Sequence, residues 1–168
     1  MEIQTQRLVL RPLKSGDLDA IHRLWTAPGV RRYLWDDEII PRDRTEDILQ
    51  ENERLFTEKS FGLWGGWSQT RERLIGFSGF WYFREPPEPE ILYGIADDLW
   101  GRGYASEMAA AMVAYGFEKL NVPKIIGSTD APNVASSRVM EKLGFQLEKR
   151  ETVEGLDTLF YGLSRLST

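Results

Sequence analysis

Glycines, an arginine and small side chains are concentrated in residues 95–107, which read Ile-Ala-Asp-Asp-Leu-Trp-Gly-Arg-Gly-Tyr-Ala-Ser-Glu. The apolar residues before this segment predict a strand, and those after it predict a helix. The first amide groups of a helix lack intrahelical partners, and the helix dipole is positive at that end. Glycines let an anion approach those amides closely, and Arg102 adds a positive charge. The segment therefore predicts an anion site, although an ordinary tight turn fits the same residues.

Two familiar phosphate-binding patterns do not occur in this segment. A P-loop needs Gly-Lys followed by Ser or Thr, and a dinucleotide fold needs the full Gly-x-Gly-x-x-Gly spacing early in a strand–helix–strand unit. The chain also has no cysteine and one histidine, His22, so it offers no thiol nucleophile and no histidine-rich metal cluster. We expect no metal site, and we expect His22 to be structural or on the surface.

Composition narrows the class of protein further. The 168 residues are 42% hydrophobic and 28% charged, which fits one folded domain. The formal net charge of −5 argues against direct nucleic-acid binding and tolerates amine-bearing partners better. Apolar runs stay well short of the roughly 18 residues that span a membrane, and the N-terminus has no apolar signal-peptide region. We therefore expect a cytoplasmic protein without a membrane partner.

Hydrophobic periodicity predicts a mixed α/β (α+β) fold built on one sheet. Strands are expected over residues 7–12, 61–68, 74–83, 90–96, 124–129, 145–152 and 158–163. Because a crossover helix separates the strands at 90–96 and 124–129, these two strands are expected to be parallel.

Capping residues and glycines mark the ends of the predicted helices. The first helix starts at Ser15 or Asp17 and ends at Pro28-Gly29, and the second starts at a capping box of Asp43 and Glu46. A third follows Gly103, and a fourth runs from Asn133 to Gly144. Residues 84–89 contain three prolines and predict a loop.

The turn at residues 100–107 is similar to the acetyl-CoA pyrophosphate loop of the GNAT N-acetyltransferases, whose pattern is Gln/Arg-x-x-Gly-x-Gly/Ala. Gly103 and Ala105 match this pattern, whereas Trp100 departs from it. Trp-Gly-Arg-Gly-Tyr-Ala-Ser-Glu resembles the version found in the RimJ/RimL-like ribosomal-protein N-terminal acetyltransferases. Residues 5–12, 90–93 and 133–145 resemble that branch's opening Thr-x-Arg-Leu-x-Leu-Arg-Pro, its Glu-Ile-Gly-Tyr strand and its second characteristic block.

The resemblance implies the GNAT fold, a single mixed sheet of six or seven strands flanked by about four helices. The sheet would be splayed between the parallel strands at 90–96 and 124–129. The resemblance also implies acetyl-CoA as the co-substrate, with the backbone of Ile95 pairing with its pantetheine arm. The residues expected to bind this co-substrate are Ile95, Trp100, Gly101, Arg102, Gly103, Tyr104, Ala105, Ser106, Asn133 and Ser136.

Acetyl transfer to an amine needs a neutral nucleophile, a positioned thioester, a donor to the developing oxyanion and a proton for the leaving thiolate. By resemblance, the backbone N–H of Tyr93 would face the thioester carbonyl. Substitution of the Tyr93 side chain is therefore expected to disturb packing more than chemistry. Glu90 would draw a proton from the ammonium through water, although a solvated charge at the start of a strand fits Glu90 equally well.

Two helix residues complete the implied catalytic site. Asn133 is expected to cap its helix and, by resemblance, to bind the cofactor arm or a water near the thioester. Ser136 would lie one turn later, close to the sulfur. Many GNAT enzymes have a tyrosine acid where this chain has Met140, which cannot give a proton. We expect Ser136 to donate a hydrogen bond to the sulfur, with water or no acid at all as the alternatives.

The acceptor pocket is the least defined part of the implied site. The loop after the first helix forms this pocket in the family, so Tyr33 and Trp35 are expected to line it. Trp81, in the strand predicted at 74–83, is expected to line it as well, and core packing is the alternative for all three. Glu107 and the Glu141-Lys142 pair are expected to be charges on helix surfaces.

Together these expectations describe one N-acetyltransferase domain over residues 1–168. It would transfer an acetyl group to a primary amine, of a protein N-terminus or a small molecule, by direct attack in a ternary complex. The sequence leaves the oligomeric state undecided: such enzymes often form homodimers, but no segment here carries a signature of a dimer interface. The alternative is a non-catalytic acyl-CoA-binding sensor or assembly module of the same fold. An ATP-binding protein fits least, because no lysine and magnesium ligand accompany the turn.

Overall fold

The computed structural model describes residues 1–84 and 88–165 of the chain. In these ranges eight strands and five α-helices form. The strands are β1 Ile3–Gln4, β2 Leu8–Pro12, β3 Leu63–Ser68, β4 Leu74–Tyr82, β5 Pro89–Ile95, β6 Lys124–Asp130, β7 Gln146–Val153 and β8 Leu156–Ser164. The helices are α1 Leu18–Thr26, α2 Pro28–Leu34, α3 Arg42–Lys59, α4 Tyr104–Glu118 and α5 Val134–Lys142.

All eight strands belong to one sheet with the order β1-β2-β3-β4-β5-β6-β8-β7. β5 and β6 are parallel, and the other neighbouring strands are antiparallel. A parallel pair needs a long crossover connection, which α4 supplies. Among the described residues, β5 and β6 pair at one register position, Glu90 with Ile126, and the strands separate beyond it. This confirms the mixed sheet that is splayed between its central parallel strands.

Both faces of the sheet are covered by helices. α4 packs on β4 and β5, and its Met108 side chain is fully buried. Gly66 of β3 makes room for this contact, because a Cβ there would lie 2.6 Å from Met108 Cε. On the other face, the Trp25 ring of α1 lies 5.8 Å from the ring of Phe77 in an edge-to-face contact. The buried apolar side chains form one continuous core.

Three local features differ from the sequence predictions. β1 and α2 are additional elements, which gives eight strands and five helices where six or seven and about four are predicted. Pro28 begins α2 rather than only ending α1, because a proline in the first helical turn loses no hydrogen bond. The capping box predicted at Asp43 is wrong, since α3 already begins at Arg42 and has no side-chain cap.

The predicted boundaries in the second half of the chain agree more closely. Gly144 has a φ of 93° just after α5, and Gly155 has a φ of 80° in the turn between β7 and β8. Both are left-handed positions that favour glycine. Of the predicted proline-rich loop, residues 85–87 lie outside the described residues, and β5 begins at Pro89. No helix in the described part of the chain is long and apolar enough to cross a membrane.

Candidate active site

The turn between β5 and α4 leaves the N-terminus of α4 open. φ is 79° at Gly101 and 82° at Gly103, a backbone conformation that side chains disfavour. Among the described residues, a Cβ on Gly101 would meet no heavy atom within 4 Å, and one on Gly103 would meet Arg7 Nη2 at 3.6 Å. The glycines are therefore required by the backbone conformation rather than by packing. The first amides of α4, which has no side-chain cap, remain available to an anion.

A cavity of about 610 Å³ lies beside this turn. Arg7, Arg102 and Lys142 bring positive charge to its wall. The other lining residues are Gln6, Gly103, Ser106, Glu107, Ala110 and Leu143. Its charge and its position at a helix N-terminus suit a ligand with several phosphate groups. Sequence reasoning did not find Arg7 or assign Lys142 to the site, because these residues are distant in the chain and carry no short motif of their own.

Glu107 ties the N-terminal segment to the first turn of α4. Its Oε2 accepts hydrogen bonds from Thr5 Oγ1 at 2.5 Å and from the Arg7 N–H at 2.9 Å, and its Oε1 lies 2.7 Å from Arg7 Nε. Burial raises the pKa of Glu107, but these hydrogen bonds and the arginine charge outweigh burial and hold the pKa below its ordinary value. The predicted surface charge at Glu107 is therefore wrong, since its side chain is 13% exposed.

Arg7 extends this network to the glycine turn. Its Nη1 donates to the backbone carbonyl of Arg102 at 2.9 Å, and its guanidinium carbon lies 4.1 Å from the centre of the Tyr104 ring. One arginine thus contacts the turn, the start of α4 and the carboxylate of Glu107. The N-terminal segment, 95 residues away in sequence from Arg102, holds the turn in position.

The backbone of β5 presents hydrogen-bonding groups to the gap beside β6. The N–H of Ala96 donates to the Ile75 carbonyl at 2.9 Å, and the register between β4 and β5 has no shift. Hydrogen-bonded residues alternate along an antiparallel pair. Tyr93 and Ile95 therefore direct their N–H and C=O groups away from β4. At that level β5 and β6 have separated, so an extended ligand can pair with this edge.

Trp100 links the turn to β5 and to α2. Its indole N–H donates to the Ile95 carbonyl at 2.9 Å, and the residue is 56% exposed. The ring also reaches Gly29, where a Cβ would lie 2.8 Å from Trp100 Cη2. Asp97 accepts a hydrogen bond from the Gly29 N–H at 3.1 Å. The turn is therefore supported on two sides.

Ser136, in the first turn of α5, is held by Asn133 and Tyr93. Asn133 caps α5 as predicted, and its Oδ1 accepts a hydrogen bond from the Ser136 N–H at 3.3 Å. The Tyr93 hydroxyl donates to the Ser136 carbonyl at 2.8 Å and lies 3.0 Å from Ser136 Oγ. Burial raises the pKa of Tyr93 to about 12 despite the hydrogen bond with Ser136. Sequence reasoning used only the backbone of Tyr93 and missed this side-chain contact, which joins residues 43 positions apart.

Met140 occupies the core rather than the open part of the site. It is 1% exposed, and a Cβ on Gly127 would lie 2.5 Å from Met140 Cε and 3.1 Å from Ile91 Cγ2. The thioether therefore fills the space above a glycine of β6. The position where many family members have a tyrosine acid is here a packed, apolar contact.

Glu90 is buried at the position where β5 and β6 begin to separate. It is 3% exposed, and its Oε1 accepts a hydrogen bond from Ser128 Oγ at 2.9 Å. Its Oε2 forms an ion pair with the Arg84 guanidinium, whose carbon lies 4.7 Å from the Phe160 ring centre. The interpretation of Glu90 as a solvated strand-end charge is therefore wrong. Each oxygen keeps a further lone pair for a water or a substrate proton.

A second cavity of about 380 Å³ is rich in carboxylates. Burial and the nearby Asp36 raise the pKa of Asp130. Two of the other carboxylates are already paired, Asp37 with Arg31 and Asp157 with Arg150. The lining residues are Arg32, Tyr33, Asp36, Asp37, Asp130, Pro132, Gly155, Leu156 and Asp157. The net negative wall favours a cationic ligand.

The three predicted pocket aromatics lie in different environments. Tyr33 lines the second cavity. Trp35 packs against Trp25 with ring centres 5.8 Å apart, and its indole N–H is buried without a hydrogen-bond partner among the described residues. Trp81 pairs with Glu90 in the β4–β5 register and is half-buried. The structure thus brings Tyr33 to the acidic cavity and Trp81 beside Glu90.

The remaining polar candidates are structural. His22 Nδ1 lies 2.7 Å from Thr45 Oγ1, so the histidine has a partner inside the helical layer, and Thr45 is fully buried. Across residues 1–84 and 88–165, the side chains that could ligate a metal ion do not gather in groups of three or more.

A mixed sheet that opens beside a glycine-rich helix N-terminus is the architecture of the GNAT acetyltransferases. Residues 7–146 match the acetyltransferase (GNAT) domain family. This match covers most of the chain, and the chain therefore belongs to the GNAT acetyltransferase family.

Relatives agree with this assignment. The chain is 31% identical over 147 residues to YoaA of Bacillus subtilis, an uncharacterized N-acetyltransferase, covering 87% of this chain and 83% of that protein. It is 35% identical over 158 residues to FsC-acetyl coenzyme A-N(2)-transacetylase of Aspergillus fumigatus, covering 84% of this chain and 63% of that protein. The solved structure of RimL, a ribosomal L7/L12 α-N-protein acetyltransferase in complex with coenzyme A, shares the fold. Its TM-score is 0.82 at 18% identity, with 98% of each chain covered.

Proposed function

We propose that this chain is an acetyl-CoA-dependent N-acetyltransferase that acts on a primary amine by direct attack in a ternary complex. The observation that carries this proposal is the position of the glycine turn next to the free edge of β5 at the opening of the sheet. An acyl donor with a pyrophosphate and an extended arm needs an anion site followed by a strand-like edge. Membership of the GNAT family supports the proposal.

The proposed acetyl-CoA site extends from the turn to α5. The pyrophosphate would bind the turn and the first amides of α4, and the arm would pair with the Ile95 N–H, because the Ile95 carbonyl already accepts the Trp100 indole. Asn133 would contact the arm or a bound water near the thioester. The proposed pyrophosphate residues are Trp100, Gly101, Arg102, Gly103, Tyr104, Ala105 and Ser106.

In the proposed reaction, the amine nitrogen attacks the thioester carbonyl carbon and the carbon–sulfur bond breaks. The Tyr93 N–H donates to the carbonyl oxygen as negative charge develops there. Glu90 accepts, through a water, the proton that the ammonium must lose to become a nucleophile. The Ser136 hydroxyl donates a hydrogen bond to the departing sulfur. The attacking nitrogen loses its second proton to solvent and the thiolate gains one from solvent, so that the products are the N-acetylated amine and coenzyme A.

The proposed acceptor is the amine of a protein N-terminus or of a small molecule. The carboxylates of the second cavity favour a cationic acceptor, and Tyr33 is the pocket residue with the most direct support. Trp35 and Trp81 remain proposed pocket residues. The resemblance of residues 90–93 and 100–107 to the RimJ/RimL pattern supports placing the chain in that branch, for which a protein N-terminus is the acceptor.

We further propose that residues 1–168 form one acetyltransferase domain in the cytoplasm, without membrane or nucleic-acid partners. The single continuous core supports one domain. The oligomer that we propose for this chain is a homodimer.

A non-catalytic acyl-CoA-binding module is the second candidate. Met140 in place of a tyrosine acid favours it, and so does the ion pair between Glu90 and Arg84, because Arg84 already occupies one oxygen of the carboxylate.

Thiol release from acetyl-CoA separates the two candidates. The assay would use short peptides with different N-termini, amino acids, polyamines and aminoglycosides, with acetyl-CoA binding measured by calorimetry in parallel. Amine-dependent release of coenzyme A is the expected result and would identify the acceptor class. Binding without turnover for any amine would favour the sensor, and no binding of acetyl-CoA would refute both candidates.

A further inference from the structure

The Tyr93 hydroxyl contacts two atoms of Ser136, a residue in the first turn of α5. Tyr93 Oη lies 2.8 Å from the Ser136 carbonyl oxygen and 3.0 Å from Ser136 Oγ. The Ser136 N–H is bound in addition by Asn133 Oδ1 at 3.3 Å. The N–H, the carbonyl and the hydroxyl of Ser136 therefore each have a partner outside the regular helix pattern.

The number of hydrogens in this contact leaves the serine hydroxyl able to donate to a further acceptor. Tyr93 Oη and Ser136 Oγ carry one hydrogen each, and the carbonyl can only accept. If the tyrosine hydrogen points to the carbonyl or to Ser136 Oγ, the serine hydrogen is free for another acceptor. The sulfur of a bound acyl donor is such an acceptor, and it would draw the serine hydrogen away from Tyr93. Tyr93 then still stabilises the oxygen of the serine hydroxyl or the turn that carries it.

We propose that the Tyr93 side chain is a positioning residue that holds the Ser136 hydroxyl toward the sulfur of the acyl donor. This inference rests on the function proposed above, because it gives Ser136 a thioester to act on. It assigns a role to the Tyr93 phenol that is separate from the role of the Tyr93 backbone N–H.

The phenol does not itself supply the proton of the leaving thiolate. Burial raises the pKa of Tyr93 to about 12, whereas an unperturbed thiol has a pKa of about 8.5. A thiolate is therefore too weak a base to hold the tyrosine proton. Tyr93 and Ser136 act as hydrogen-bond donors, coenzyme A leaves as the thiolate, and the thiolate is protonated by the buffered solvent at ambient pH.

Tyr115 provides a matched control for loss of a buried phenol. It is 8% exposed near the end of α4, and its hydroxyl donates to the Ser60 carbonyl, far from the glycine turn and from Ser136. Tyr115→Phe removes the same atom as Tyr93→Phe. It should leave kcat unchanged, so that a fall in kcat in Tyr93→Phe cannot be attributed to the loss of a buried hydroxyl as such.

The test compares Tyr93→Phe, Ser136→Ala and the double variant by steady-state kinetics with the acceptor found by the thiol-release assay. Tyr93→Phe is expected to lower kcat by about tenfold, the effect of one hydrogen bond made in the transition state, with KM for acetyl-CoA changed by less than about twofold. The double variant is expected to have the kcat of Ser136→Ala, because Tyr93 acts through the serine hydroxyl. Ser136→Thr, which keeps a hydroxyl, should restore sensitivity to Tyr93→Phe.

Three outcomes would overturn the inference while leaving the proposed function intact. In the first, Tyr93→Phe has the kcat of the unaltered enzyme. In the second, the losses of the two single variants multiply in the double variant, which is the pattern of independent structural effects. In the third, Tyr115→Phe lowers kcat as much as Tyr93→Phe. Absence of amine-dependent turnover in the unaltered protein would instead refute the proposed function, and the inference with it.

Discussion

The indole N–H of Trp100 donates a hydrogen bond to the backbone carbonyl of Ile95 at 2.9 Å, which closes the glycine turn onto the free edge of β5. Trp100 is also the residue that departs from the Gln/Arg-x-x-Gly-x-Gly/Ala pattern. Its side chain connects the turn to the strand that would carry the acyl arm. The glycine turn and the edge of β5 are thus joined directly by a side-chain contact.

Trp100→Phe tests this connection, because phenylalanine keeps an apolar ring but has no N–H. Loss of one hydrogen bond, worth about 1 kcal/mol, should raise the Kd for acetyl-CoA about fivefold. Calorimetry measures this change directly. Tyr82→Phe is the control, since it removes a polar atom that contacts Lys59 far from the turn. Equal affinities for Trp100→Phe and the unaltered protein would show that the contact has no role in binding.

Gly103→Ala should weaken acetyl-CoA binding beyond its effect on stability. The φ of 82° at Gly103 costs a residue with a Cβ about 1–2 kcal/mol, and the new methyl group would stand at the open N-terminus of α4. Gly144→Ala has the same type of strain, with a φ of 93°, at the end of α5. Urea unfolding is expected to give similar losses of stability for both variants. Only Gly103→Ala is expected to raise the Kd for acetyl-CoA, and a similar rise in Gly144→Ala would argue against the site.

Glu90→Gln should lower kcat by about a hundredfold or more, the range typical of a lost general base. The amide keeps the size of the side chain and a hydrogen-bond acceptor for Ser128, but it cannot take a proton. Glu88→Gln removes an exposed carboxylate two residues earlier and should leave kcat unchanged. If turnover survives in Glu90→Gln, another group is the base.

Glu107→Gln should change how stability depends on pH. The folded protein holds the pKa of Glu107 below its ordinary value through Thr5 and Arg7. The unfolded chain therefore binds more protons between the two pKa values, and this part of the stability is fully present above the unfolded pKa. It is lost as pH falls through the folded pKa. Urea unfolding should show a difference between unaltered protein and Glu107→Gln that shrinks below about pH 5.

Glu118→Gln is the control for that measurement, because Glu118 is exposed at the other end of α4. It should follow the unaltered protein at every pH. A difference between Glu107→Gln and the unaltered protein that stays constant from neutral to acidic pH would contradict the assigned network.

The sequence predicts those parts of the site that depend on residues close together in the chain. The glycine turn, the cap at Asn133 and the parallel pairing of β5 with β6 are local patterns, and the structure confirms them. The partners of Glu90 and Glu107 and the contact of Tyr93 with Ser136 join distant segments. No periodicity or spacing carries such information, so the sequence predicts a surface charge at Glu107 and leaves a surface charge as the alternative to a base at Glu90. The short elements β1 and α2 escape prediction because few residues define their pattern.

The most direct test of the central claim is simultaneous measurement of coenzyme A release and of the acetylated amine by mass spectrometry. Acetyl-CoA and the amine panel would be incubated with the unaltered protein and with Glu90→Gln. Free coenzyme A and N-acetylated product should form in equal amounts with at least one amine class, and much more slowly with Glu90→Gln. Tight binding of acetyl-CoA with neither product from any amine would contradict the claim.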